Sequence, residues 1–322
     1  MTDTKKTYRL LTRSDFDGLV CAVLLKDMGI LGDIKFVHPK DVQDGVVEVT
    51  ENDILTNLPY VQGCHVCFDH HDSEESRNEG QTFDNQVLQV GAESAARVVY
   101  DYYGGRERFP RISEEMLDAV DKADSARFSR EEVLQPTGWT LLSFVMDART
   151  GLGRFRNFKV SNYQLMMELI DYCTGHSIDE ILAHPDVAER VELYRSHEQF
   201  AVEQLRRCGT VHKNSVVLDL RSEETIYATN RFLIYALFPE CNISIHVLWG
   251  KEKQNTVFAI GKSILDRSSS SDVGELTLEY DGGGHTAAGT CQVDHESAER
   301  VLHELIARVT SDAGSEVCAP LI

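Results

Sequence analysis

Two aspartates one residue apart, Asp15 and Asp17 in "TRSDFDGLV", stand where one apolar run breaks and another begins. Two carboxylates that close repel each other and lose hydration, which a fold tolerates at a surface or where a cation offsets both charges. Further along, "CFDHHDS" places Asp69, His70 and His71 in succession after another apolar run. A neutral imidazole binds metal, and a carboxylate beside it fixes its tautomer. "AVDKADSARF" adds Asp121 and Asp124, and "YDGGGHTAAG" sets Gly282, Gly283 and Gly284 before His285. Glycines let backbone N–H groups approach an anion, and the residues after them are expected to open a helix whose N-terminus favours negative charge. Together these sets suit a divalent cation beside an anion cradle. Each alone has an ordinary reading: the D-x-D as a helix N-cap, the paired histidines as coincidence, the glycines as a turn.

The strands and helices that carry these residues follow from the apolar patterning. Residues 7–12 read as a strand and 18–29 as a helix that starts just after Asp17 and stops near Gly29. "IKFVH", "DILTNLPY" and "CHVCFDHHDS" read as further strands, and "GAESAARVVYDYYGG" as a helix. This alternation predicts an α/β fold whose N-terminal, mostly parallel sheet carries helices on both faces. In such sheets ligands gather at the carboxyl ends of the strands, where Asp15, Asp17, Asn57 and Asp69-His70-His71 all fall. Residues 111–208 read as mainly helical, ending in a long helix that stops at Gly209. Strands at "SVVLDL", "NISIHVLWG", "TVFAIGKS" and "GTCQV", with helices at about 225–237 and 295–310, then predict a smaller C-terminal α/β domain. The expected organisation is a catalytic-like domain over 1–185, a linker helix over 186–208 and a substrate-binding domain over 209–322.

Composition limits the partners. The chain of 322 residues carries 32 Lys plus Arg against 52 Asp plus Glu, a net charge of −20, which works against loose binding to long duplex nucleic acid or an anionic membrane. No run is long enough to span a bilayer, and "MTDTKKTYRL" lacks the apolar stretch of a signal peptide, so a cytoplasmic protein is expected. Eight scattered cysteines form no disulfide framework, and Cys64-x-x-Cys67, without a second pair, favours packing over zinc or redox chemistry. The basic run "DARTGLGRFRNFK", with Arg149, Arg154, Arg156 and Lys159, reads either as a solvated loop or as a local cationic site.

Asp15-x-Asp17-Gly18, Asp69-His70-His71 and Gly282-Gly283-Gly284-His285 with Ala288-Gly289 resemble, in order and spacing over nearly the whole chain, the DHH phosphoesterase superfamily, in the branch with a C-terminal DHH-associated domain. The resemblance implies a two-domain enzyme with a cleft between the domains. It implies manganese in the first domain, activating water, and a glycine-rich loop of the second domain holding substrate. Members act on very short RNAs, linear and cyclic dinucleotides, single strands or polyphosphate. Two positions depart from the pattern. The usual first-motif histidine is Arg13, and the position expected for a bridging aspartate is best matched by Asn57, since Asp53 lies at the wrong end of its strand. The fourth-motif aspartate is best matched by Asp124.

Placed on the family's arrangement, one metal keeps only Asp15, while the other keeps Asp17, His70 and Asp124, with Asn57 able to lend a carbonyl oxygen. The expectation is one Mn²⁺, with Mg²⁺ as the alternative and a guanidinium from Arg13 where the second cation would sit. Asp69, His71 and Arg13 are the expected catalytic groups: Asp69 orienting His70 or a water, His71 facing the phosphate or leaving oxygen, Arg13 clamping phosphate. Gly283, Gly284, His285, Lys262, Ser263 and Arg231 are the expected substrate contacts. An ordinary strand-end turn is the competing reading of Lys262 and Ser263, a surface charge that of Arg231, and His197 on the long helix is expected to be exposed. The function expected is metal-dependent hydrolysis of a short oligonucleotide, dinucleotide or polyphosphate. The competing reading is a weakly active or inactive binding protein of the same fold, and self-association as a homodimer stays open.

Overall fold

A computed structural model describes residues 6–78 and 80–311. Its contacts divide the chain into two units, Met1–Arg127 with Pro136–Leu193, and Phe128–Gln135 with Tyr194–Ile322. The boundary falls inside the long helix Pro185–Cys208, so one helix contributes to both units.

The first unit is built on five strands: β1 (Tyr8–Thr12), β2 (Leu31–Phe36), β3 (Asp53–Thr56), β4 (Val66–Asp69) and β5 (Gln86–Leu88). They lie in the order β2-β1-β3-β4-β5, every pair parallel. Successive side chains alternate between faces. Leu10, Ile54 and Phe68 enter the main core, while Leu11, Leu55 and Cys67 enter a smaller one on the opposite face. Cys64 and Cys67 both belong to that second cluster, which accounts for them as packing. Long helices cover the main face, whereas a short helix (Pro39–Gln43) and loops cover the other.

The first helix runs Phe16–Asp27, starting slightly earlier than the sequence predicts, because Asp15 caps it by accepting the Gly18 N–H at 3.0 Å. Every residue from Phe16 to Leu25 is buried, so it is a central helix with no solvent face along that stretch. Gly18 makes this possible: a Cβ there would lie 2.0 Å from the Arg13 carbonyl oxygen.

The second unit holds β6 (Gly209–His212), β7 (Ser215–Asp219), β8 (Ile243–Trp249), β9 (Thr256–Lys262), β10 (Gly283–His285) and β11 (Ala288–Val293), in the order β10-β11-β9-β8-β7-β6. Only β7 and β8 pair in parallel. The helices Val273–Leu278 and His295–Val309 cover one face. The predicted helix over 225–237 is confined to Leu233–Leu237. Buried Asn230 explains the loss: its Nδ2 donates to the Val133 carbonyl at 3.0 Å and the Tyr194 hydroxyl at 3.1 Å, and its Oδ1 accepts the Phe232 N–H. The glycine triplet does not open a helix either. Gly283–His285 is a strand in a tight hairpin with β11. Among the described residues no helix is long and apolar enough to cross a membrane.

Candidate metal centre

The parallel sheet delivers three donors to its carboxyl edge. Asp17 comes from the first turn of the helix after β1, His70 from just past β4, and Asp124 from the last residue of the helix Glu114–Asp124. Their ligand atoms all lie within 4.8 Å of one another. Asp17 is 2% exposed, and its two oxygens accept the Ala96 N–H at 2.8 Å and the Ala95 N–H at 3.0 Å, at the start of the helix Ala95–Tyr102. Those dipoles hold the carboxylate in place and partly offset its charge. They do not offset it fully: burial and the neighbouring Asp124 raise the Asp17 pKa to about 7.

His70 shows how the site is prepared. Its Nδ1 lies 3.0 Å from the Ala92 carbonyl oxygen, an acceptor only, so Nδ1 carries the hydrogen and the Nε2 lone pair faces the carboxylates in the neutral ring. Nε2 is 3.0 Å from Asp124 Oδ2, yet it is buried with no hydrogen bond of acceptable direction. Without a metal a proton serves there instead. Burial works against the charged ring, but Asp124 and Asp17 outweigh it and lift the His70 pKa to about 9. The same pairing overcomes burial at Asp124 and lowers its pKa. A buried imidazole nitrogen beside two carboxylates, holding a proton that a metal can displace, fits a divalent cation.

Asp69, 2% exposed, holds the other histidine. Its Oδ1 lies 2.7 Å from His71 Nδ1 and accepts the His70 backbone N–H at 2.9 Å. The imidazole it orients is thus that of His71, whose pKa it raises, while the ring of His70 is oriented by Ala92.

Arg13, Asp15 and Asn57 form a separate set. Arg13 Nε is 3.1 Å from Asp15 Oδ2, and Asn57 Nδ2 donates to Asp15 Oδ1 at 3.3 Å. Asn57 Oδ1 lies 3.5 Å from Arg13 Nη1. Asn57 follows β3 directly, at φ +54°, a left-handed conformation that asparagine tolerates better than most residues. Burial raises the Asp15 pKa, and Arg13 and the Gly18 N–H partly counter it. Asp15 belongs to none of the metal-competent groups found among the described residues.

Asp121 turns away from this centre, accepting from Ser94 Oγ at 2.6 Å and from Arg97 Nε at 2.8 Å. Asp53, at the opposite end of the sheet, pairs with Arg9. The Ala92 carbonyl is the contributor that the sequence reading missed, since a backbone acceptor leaves no residue-type signal.

The expected substrate contacts lie in the second unit. A Cβ at Gly284 would lie 2.3 Å from the Ala288 carbonyl oxygen, and one at Gly282 would lie 2.4 Å from that of Thr290, so both glycines serve hairpin packing. A Cβ at Gly283 would meet nothing within 4 Å. His285 is exposed on β10. Lys262 ends β9, and its Nζ donates to the Ser271 carbonyl at 2.9 Å. Ser263 is buried, its Oγ accepting the N–H groups of Leu265 and Asp266, so its hydroxyl closes a turn. Arg231 precedes its helix and lies 4.4 Å from the Phe232 ring. His197 is half-buried, and its Nδ1 accepts the Ala228 N–H at 3.1 Å, contrary to the exposed position expected.

A scan against protein-family models finds no match, and a search of curated proteins finds none. Among solved structures the chain is similar to the pGpG-specific phosphodiesterase PggH from Vibrio cholerae, with 61% identity over 95% of this chain and 100% of that one, at a TM-score of 0.84. It shares its fold with CDC45 from Entamoeba histolytica, at 11% identity, 95% and 96% coverage and a TM-score of 0.51. It likewise shares the fold of RecJ from Thermus thermophilus in complex with Mn²⁺, at 12% identity, 95% and 52% coverage and a TM-score of 0.50.

Proposed function

Because the chain belongs to the DHH phosphoesterase superfamily and is a phosphoesterase, we propose that it hydrolyses a 5′-phosphorylated dinucleotide of the pGpG type, with one Mn²⁺ or Mg²⁺ held by Asp17, His70 and Asp124. The convergence of those donors, with an undirected Nε2 between two carboxylates, carries the reading. The substrate class is supported by the 61% identity to a pGpG-specific enzyme.

A divalent ion bound there supplies a water of lowered pKa and a Lewis acid at a phosphoryl oxygen. The chain's own groups do the rest. Asp17 is fixed through two backbone N–H groups and His70 through the Ala92 carbonyl, so the donors need little reorganisation. Asp69 fixes the Nδ1–H tautomer of His71, whose raised pKa suits it to carry a proton to the leaving oxygen. Arg13, anchored on Asp15, supplies positive charge for a non-bridging oxygen. The acidic balance favours a short ligand over long duplex nucleic acid, and the seven free cysteines among the described residues suit a cytoplasmic setting.

The test is metal analysis of the purified protein beside a Mn²⁺-dependent hydrolysis panel of pGpG, longer RNA and polyphosphate. We expect one ion per chain and preferential cleavage of pGpG. Asp17→Ala and His70→Ala should each lower kcat/KM by about a hundredfold or more. Full activity in either variant, or in chelator, overturns the assignment.

A further inference from the structure

One short segment supplies the backbone groups that hold two of the metal donors. The Ala92 carbonyl oxygen lies 3.0 Å from His70 Nδ1, and the N–H groups of Ala95 and Ala96 donate to the two oxygens of Asp17 at 3.0 and 2.8 Å. The first N–H groups of a helix have no partner inside it. In the helix Ala95–Tyr102 each of them is placed. Ala95 and Ala96 serve Asp17, Arg97 donates its N–H to Oγ of the N-cap Ser94 at 3.0 Å, and Val98 donates to the Ser94 carbonyl at 3.3 Å. The cap on the later groups thereby fixes where the earlier ones point.

Asp121 holds that cap. Ser94 and Asp121 are both buried, and Ser94 Oγ lies 2.6 Å from Asp121 Oδ1. An ionised carboxylate only accepts, so the hydroxyl hydrogen points to Asp121 and a lone pair is left for the Arg97 N–H. The Arg97 side chain returns to the same carboxylate, with Nε at 2.8 Å and Nη2 at 2.7 Å from Asp121 Oδ2. Asp121 stands one turn before Asp124 in the helix Glu114–Asp124, and its carbonyl accepts the Ser125 N–H and hydroxyl where that helix ends. One side chain therefore joins the segment that holds Asp17 and His70 to the helix that carries Asp124. Asp118, a turn earlier, reaches the same Arg97 at 3.3 Å from an exposed position.

We propose that Asp121 is a positioning residue of the metal centre: through Ser94 and Arg97 it sets the spacing of Asp17, His70 and Asp124, and so the affinity for the divalent ion, without touching the ion. This rests on the metal-centre reading. Outer contacts that orient ligands change metal affinity by about 10–100-fold when removed.

The experiment applies calorimetry of Mn²⁺ binding, urea unfolding in chelator and amide hydrogen exchange in chelator to the full chain. The variants are Asp121→Ala, Asp121→Asn, Ser94→Ala, the double variant Ser94→Ala with Asp121→Ala, and Asp118→Ala. Asp121→Ala should weaken Mn²⁺ binding by about tenfold or more. Asp121→Asn keeps an acceptor for Ser94 and should recover part of that loss. The double variant should bind little worse than Asp121→Ala, because both residues act through one bond. Asp118→Ala should bind as wild type does. The Ala95 and Ala96 amides should exchange faster in Asp121→Ala than its loss of global stability accounts for. A residue that serves the fold alone lowers only the urea midpoint, so wild-type affinity and exchange in folded Asp121→Ala overturn the proposal, as do fully additive losses in the double variant. If Asp121→Ala does not fold, Asp121→Asn and Ser94→Ala decide by the same measures. If wild type binds no Mn²⁺, the metal-centre reading fails; faster exchange at Ala95 and Ala96 then still supports Asp121 as the residue that places the donors, and unchanged exchange overturns it.

Discussion

The two ends of the parallel sheet treat charge in opposite ways. At the amino end, Arg9 donates Nε and Nη2 to the two oxygens of Asp53 at 2.6 and 2.8 Å, and Thr50 adds its backbone N–H at 2.6 Å and its hydroxyl at 3.0 Å. Asp53 is 1% exposed; burial pushes its pKa up, but these donors outweigh burial and lower it. At the carboxyl end, Asp17 is equally buried but its pKa is raised, and the neighbouring His70 Nε2 is buried without a hydrogen-bond partner. One end is electrostatically complete; the other is arranged so that a cation completes it. A buried carboxylate by itself does not mark a site, whereas one that its surroundings fail to satisfy does.

The largest separation should come from the same change made at each end. Asp17→Asn should lower activity by about a hundredfold or more while shifting metal-free stability by no more than about 1 kcal/mol, because the relief of a desolvated charge offsets the one backbone N–H that the amide nitrogen leaves unpaired. Asp53→Asn should instead cost about 1.5–3 kcal/mol by losing charged hydrogen bonds, with activity per folded molecule kept. Urea unfolding in chelator beside kcat/KM reads both; similar stability losses at the two positions would break the contrast.

An intermediate effect should appear with pH. Asp17 rises from 3.8 to about 7 and His70 from 6.5 to about 9, so the folded, metal-free chain holds protons that the unfolded chain has released. Their contribution to stability is full at low pH; it is lost for Asp17 as pH climbs from 3.8 through about 7 and for His70 from 6.5 through about 9. Asp53, with its lowered pKa, contributes above its unfolded value of 3.8 and is lost as pH falls through its lower folded value. A metal must displace the protons on Asp17 and His70. Mn²⁺ affinity should therefore tighten from pH 7 to about 9 and then level off. Calorimetry in buffers of different ionisation enthalpy measures the proton release; an affinity independent of pH would contradict it.

The smallest change is expected from Arg13→His combined with Asn57→Asp, which gives Asp15 the partners it lacks for a second ion. Metal content should rise from one to two ions per chain, with activity altered by less than about tenfold. Metal analysis of the purified double variant checks this, and an unchanged content would place the limit elsewhere than at these two residues.

Much of the first unit was legible because apolar strands of a sheet buried on both faces leave unbroken runs, as in "YRLLT" and "VCFD". Asp17, His70 and Asp124 could be named because each follows or ends a recognisable element. β5 (Gln86–Leu88) was missed because three half-buried residues make no pattern, and β6 because it follows a helix without a break. The strand β10 was hidden because glycine signals permission and not conformation. The orienting Ala92 carbonyl and the Asn230 bonds that stop a helix both depend on residues distant in sequence.

The hairpin around Gly283 separates two demands that its three glycines write identically. Gly282 and Gly284 have no room for a methyl group, whereas Gly283 opens onto empty space. Alanine at either flank should therefore disturb the fold before it disturbs any ligand, and alanine at the centre should do the reverse. Where such a triplet is used as a fingerprint, its middle letter is the one free to record what the molecule recognises.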